Sequence, residues 1–179
     1  MFYAFGFERL GMVVSDLYFV DPEPEEGQEG AERGVRLELR LLERGELHGS
    51  IYSARPISVE RPLWRADLLE SAAGPTGSFD RTHHHPRFDG WEPGVRVFVE
   101  ELSADPLGWV AKRLADVAGL LAEAGVAPDA TTPADAAELR AAVPQIMDAV
   151  RTLLDRIHAG ELAQPPGPEP VTNARVSWL

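Results

Sequence analysis

The apolar residues of this chain change their period once, near residue 103. Before it they recur at every second position, most cleanly where Val35, Leu37, Leu39 and Leu41 alternate with Arg36, Glu38 and Arg40. That is the pattern of a strand with one buried face. After it they recur at Leu107, Val110, Leu114, Val117 and Leu121, the stripe of an amphipathic helix. A chain that is strand-like first and helical afterwards folds as α+β, its helices gathered against an antiparallel sheet. The expected architecture is a twisted meander of about six to eight strands over residues 1–102, packed on one face by two to three C-terminal helices over 106–159.

The expected strands are 2–7, 12–20, 35–41, 47–54, 63–69, 79–85 and 95–102. Glu43 to Glu46 reads as a hairpin connection with its glycine free to take a positive φ. Pro56 and Pro62 push the stretch that follows toward a sheet edge or an irregular crossover. Asp21 to Gly34 mixes proline, glycine and acid without periodicity, which predicts a mobile acidic loop. Asp105-Pro106 is a helix start, with an acid to cap the first turn and proline in the first helical position. That helix should run to about Ala124 and end at Gly125. Thr132-Pro133 opens the next one, with Asp135 at a capping-box position, and Pro144 should kink or split it. Residues 1–160 thus read as one domain. The Pro-rich tail 161–179 is expected to be extended, its terminal Val176, Trp178 and Leu179 docking on the domain or on a partner.

The net charge of −12 excludes a broad nucleic-acid or anionic-membrane face, which needs a basic surface. It is uneven: Asp21 to Glu32 holds six carboxylates and no base, an arm suited to a basic protein partner or to self-association. The stretch from Arg55 to Arg96 balances six arginines with six acids. No cysteine is present, so thiol chemistry, disulfides and thiolate zinc sites are ruled out. No apolar run approaches the ~20 residues of a membrane span and the N-terminus lacks signal-peptide features, so a cytoplasmic location is expected. One lysine stands against sixteen arginines, the bias of GC-rich bacterial coding rather than a functional choice.

Three of the five histidines are consecutive, His83, His84 and His85. On an extended backbone Arg81, His83 and His85 share one face and His84 takes the other; on 63–69, Arg65 and Asp67 share a face opposite Trp64 and Ala66. If the two strands pair, Arg65 and Asp67 lie beside His83 and His85. Three readings follow. His83 and His85 could ligate one divalent metal ion with Asp67 or Asp89 as third ligand. They could instead act without metal as general base and general acid on a phosphodiester, with Arg65 or Arg81 stabilising charge and Asp67 fixing a tautomer. Or the run is a polar strand end, held by cross-strand His–Asp and Arg–Asp pairs. No motif specifies a cofactor, and phosphate-binding loops, nucleophile elbows and HExxH helices are absent.

The order of segments VRLELRLLERGELHGSIY, WRADLL, THHHPRFDG and DPLGWVAKRLADVAGLL, spanning residues 35–124, resembles the small bacterial TumE-like toxin family. The resemblance implies a cytoplasmic toxin of a toxin–antitoxin pair, made with a protein partner. The matching positions are Arg65, Asp67, His83 and His85. The expectation is therefore a small toxin-like phosphodiester hydrolase or nuclease. The alternative is a non-catalytic interaction protein working through its acidic loop, helices and tail.

Overall fold

The computed structural model describes residues 1–24 and 26–166. The terminal Val176, Trp178 and Leu179 fall outside them. Five strands form one antiparallel sheet in sequence order: β1 (Phe2–Gly6), β2 (Leu10–Val20), β3 (Ala31–Arg44), β4 (Ile57–Ser71) and β5 (His83–His85). A two-stranded hairpin of β6 (Phe88–Asp89) and β7 (Glu92–Pro93) follows. Four helices complete the fold: α1 (Glu100–Ala104), α2 (Pro106–Ala115), α3 (Val117–Glu123) and α4 (Pro133–His158). The architecture is α+β, with helices packed on the sheet. No described helix is long and apolar enough to cross a membrane.

One face of the sheet carries the apolar half of each alternation. Met12 and Val14 of β2, Leu37 and Leu39 of β3, and Trp64, Ala66 and Leu68 of β4 are fully buried there. Val110 and Leu114 of α2 and Ile146, Val150, Leu153 and Ile157 of α4 join the same core. The stripe read from the sequence is the stripe that buries, because the 3.6-residue period leaves one helix face apolar.

The elements depart from expectation in several places: β3 already begins at Ala31, inside the expected 21–34 loop, and only His83–His85 of the expected strand 79–85 is extended. Residues 47–54 form no strand: β3 runs on to Arg44, which pairs with Ile57, and the chain between them turns through Gly49 and Ser50 to Ser53. Pro62 falls inside β4, where the register shifts around Arg40. Proline has no N–H to offer the ladder, so the strand bulges there. Residues 95–102 contribute only a bridge between Val97 and His84 before α1 begins. Glu100 and Glu101 in its first turn suit a helix N-terminus.

The single helix expected to Ala124 is two, broken at Asp116. Asp105 accepts from the Gly108 N–H at 3.0 Å and Asp116 from the Gly119 N–H at 3.1 Å, so each Asp-x-x-Gly opens its own helix. α4, by contrast, continues through Pro144 without splitting, since apolar contacts on both sides of the proline pin it to the sheet. Thr132 and Asp135 close a full capping box at its start. Asp135 also accepts from the N–H groups of Arg9 and Leu10, at 2.8 and 3.1 Å, tying the β1–β2 turn to the helix.

Candidate metal centre

The face of the sheet away from the helices is charged. Cross-strand register puts Arg36 of β3, Asp67 of β4 and His83 of β5 in one row, and Glu38, Arg65 and His85 in the next. His84 falls between them on the core side, its ring 5.0 Å from that of Trp109. The alternation read from the sequence therefore holds, and so does the pairing on which the site depended.

Asp67, His83 and His85 are 1%, 3% and 5% exposed. The Asp67 carboxylate is gripped by Arg36 through both oxygens, Nε to Oδ1 at 2.7 Å and Nη2 to Oδ2 at 3.1 Å. His83 Nε2 and His85 Nε2 both approach Oδ2, at 3.5 and 3.8 Å. Each Nδ1 lies 2.8 Å from a backbone carbonyl oxygen, of Arg81 for His83 and of Gly94 for His85. A carbonyl can only accept, so each Nδ1 donates, and a neutral ring then points the Nε2 lone pair at Asp67.

Three acceptor atoms thus converge within 4.8 Å of one another. The Nε2–Oδ2 separations are long for hydrogen bonds. They come close to the edge of a tetrahedral coordination shell, about 3.3–3.5 Å for metal–ligand bonds of about 2.0–2.1 Å. The carbonyl bonds at Nδ1 are the outer-shell partners that metal-ligating histidines use to fix tautomer and ring orientation. The donor set fits a divalent ion of the zinc class.

The electrostatics agree with a neutral His85. Burial pushes His85 down to about 4, against the opposing pull of Asp67 and the Gly94 carbonyl. His84 is likewise lowered to about 4, by burial first and then by Arg113 and its neighbouring histidines. Burial alone would raise the Asp67 carboxyl, but the charge and the paired hydrogen bonds of Arg36 outweigh it. They hold the group well below the usual carboxylate range.

A pH dependence follows. An unfolded histidine titrates near ~6.5, so between there and about 4 the unfolded chain takes up protons that native His84 and His85 refuse. The stability they confer is complete above that window and falls as pH drops through it. The urea midpoint should be level from pH 8 to 7 and decline steadily from pH 6.5 to 4.5, less steeply in His84→Phe. A midpoint unchanged down to pH 5 would contradict this.

Two of the expected site residues turn elsewhere. Arg65 pairs opposite His85, but its guanidinium goes to Glu38, Nε–Oε1 at 2.8 Å, and lies 5.1 Å over the Phe88 ring. Arg81 leaves the cluster and donates to the carbonyls of Gly27 and Glu29, at 2.6 and 3.4 Å. With Arg96, which bonds Asp21 and Gln28, it straps the acidic loop to the domain. Asp89, the other carboxylate considered as third ligand, is exposed on β6.

Three residues that matter here were not anticipated. Arg36 anchors Asp67, Glu38 joins Arg40 and Arg65, and Glu32 is 2% exposed, its Oε2 without a hydrogen-bond partner among the described residues. Burial raises the Glu32 carboxyl against the pull of Arg96, His83 and Arg81. The available signal was the alternating charge of Arg36, Glu38 and Arg40 in the most apolar strand, which becomes a buried row when that strand is central.

The segment after β5 roofs the face. Phe98 lies 5.4 Å from the His83 ring, Phe88 6.3 Å from His85, and Arg40 5.4 Å over Trp91. Two clefts lie at the periphery. One of about 640 Å³ is lined by residues including Arg9, Leu42, Arg44 and Arg55, and one of about 340 Å³ by Asp21, Glu23, Val95, Arg96 and Phe98. Neither is lined by Asp67, His83 or His85. Comparison of the chain with protein-family models, with curated proteins and with solved structures finds no match.

Proposed function

We propose that this protein binds one divalent transition-metal ion at Asp67, His83 and His85. The observation that carries the reading is the convergence of two imidazole Nε2 atoms on one carboxylate oxygen, at 3.5 and 3.8 Å. Both rings are oriented by carbonyls on their other nitrogen. The residues that hold the ion come from β4 and the adjacent edge strand β5 rather than from loops, which is what precise ligand placement requires.

The metal-free phosphodiester reading uses the same histidines but needs an Nε2 open to substrate. Here both face Asp67 beneath Phe88 and Phe98, so ion binding has the better support. A protein-partner role has separate support. Leu47, Ile51, Tyr52, Ile57 and Val59 stand exposed in and beside the β3–β4 connection, a grouping of apolar surface that an interface uses and scattered residues do not make.

Titration of the chelator-treated protein with Zn²⁺ or Co²⁺ should give one ion per chain. His83→Ala and His85→Ala should each weaken binding at least ~100-fold, more than loss of an outer-shell partner does. His84→Phe should leave it within about threefold, since His84 belongs to the other face. Absence of stoichiometric binding to the folded wild type would refute the reading. Phosphodiester cleavage that survives metal removal yet is lost in the His83 and His85 variants would replace it with the acid–base one.

A further inference from the structure

Resting on the metal reading above, we infer that Arg36 is an internal competitor for the ion. It holds Asp67 Oδ2 while the site is metal-free, must surrender it for the ion to bind, and so sets the affinity. The argument is one of charge and access. In the two site rows Arg36 and Arg65 are set against Asp67 and Glu38, with Arg40 beside Glu38 in the next row. Asp67 is already answered by Arg36 before a dication enters, and a buried pocket screens the repulsion between the ion and that guanidinium weakly. One cation has to withdraw.

Arg40 and Arg65 are not free to do so. Both share Glu38, Arg40 also donates to the Glu60 carbonyl, and their side chains are 5% and 13% exposed. Arg36 is 25% exposed and, among the described residues, its side chain hydrogen-bonds to Asp67 alone. On its other side it faces Ser15 of β2, itself only half-buried, and beyond that the exposed Phe2 of β1. The guanidinium therefore has an open route toward the β1–β2 half of the face. Letting go of Nη2–Oδ2 and loosening Nε–Oδ1 hands the oxygen nearest both imidazoles to the ion. The consequence is an exchangeable site rather than a closed one: binding is reversible because a tethered cation stands ready to reclaim the carboxylate.

Two measurements test this on the full chain. Zn²⁺ titration against a chromophoric chelator should show Arg36→Met binding at least ~10-fold more tightly than wild type, the scale on which one neighbouring charge moves an ionic equilibrium. In ¹H–¹⁵N spectra of the wild type, saturating Zn²⁺ should shift the Arg36 Nε–H signal and speed its exchange with solvent. A merely structural arginine would show neither response. Equal or weaker binding by folded Arg36→Met, or an Arg36 Nε–H unmoved at saturation, would overturn the inference and leave the metal site standing. Should Arg36→Met not fold, the wild-type spectra decide alone. Failure of the wild type to bind Zn²⁺ at all is a different outcome, which removes the metal reading itself.

Discussion

Asp67→Ala is expected to destabilise the fold by about 2–4 kcal/mol, toward the lower end for breaking a buried ion pair because Arg36 keeps some access to water. The carboxylate is 1% exposed and answers Arg36 through two hydrogen bonds, with two imidazoles beside it. Its removal leaves a largely buried guanidinium without its hydrogen-bond partner. The penalty lies in the orphaned charge rather than in the worth of the pair. Arg36→Met combined with Asp67→Leu should therefore be more stable than Asp67→Ala alone, since the charged pair is then exchanged for apolar volume. Urea unfolding of wild type, Asp67→Ala, Arg36→Met, Asp67→Leu and the double variant measures both effects. A cost below ~0.5 kcal/mol for Asp67→Ala, or strict additivity in the double variant, would show that the pair carries no such load.

Trp64→Ala should cost about 3–5 kcal/mol. The indole is fully buried at the centre of the helix-side core and stacks on Trp109 of α2, with ring centroids 6.4 Å apart and 19° between planes. Deleting it opens a cavity between sheet and helix that neither can collapse to fill, because β4 is held by β3 on one side and β5 on the other. Trp64→Phe should cost only about 1 kcal/mol or less. The indole Nε1 is buried without a hydrogen-bond partner among the described residues, so phenylalanine gives up volume but also removes an unsatisfied donor. A Phe variant as damaged as the Ala variant would mean that Nε1 has a partner after all.

How much of this was legible differs between elements. The strand of residues 35–41 and the caps at Asp105 and Thr132 could be read directly, because alternation and capping depend on neighbours within a few residues. The division of the triple histidine between two faces was equally local. Arg36 was not legible: its alternation with Val35 and Leu37 marked it as a solvent-facing residue, and only the position of β3 between β2 and β4, under the roof of Phe88 and Phe98, turned that face into a partly buried one. Arg81 misled for the converse reason. It shares the face of His83 in an ideal strand, but β5 begins only at His83. Phe79, with φ of 49°, has already turned the backbone, and Thr82 meets Leu69 through its side-chain hydroxyl.

The sequence by itself determined the α+β class, the helix-facing stripe and the possibility of a His–Asp site, since each follows from periodicity and short-range backbone chemistry. The tertiary structure decided the register that sets Asp67 opposite His83 and Arg65 opposite His85, the bidentate hold of Arg36, and the burial that keeps His85 neutral. A shift of one residue in β5 would have sent His84 to Asp67 and both flanking histidines into the core. That register is fixed by side chains far apart in sequence, with Trp64, Ala66 and Leu68 committed to the helices on the far side of the sheet. Their burial, more than any feature of the histidines themselves, aims His83 and His85 at Asp67.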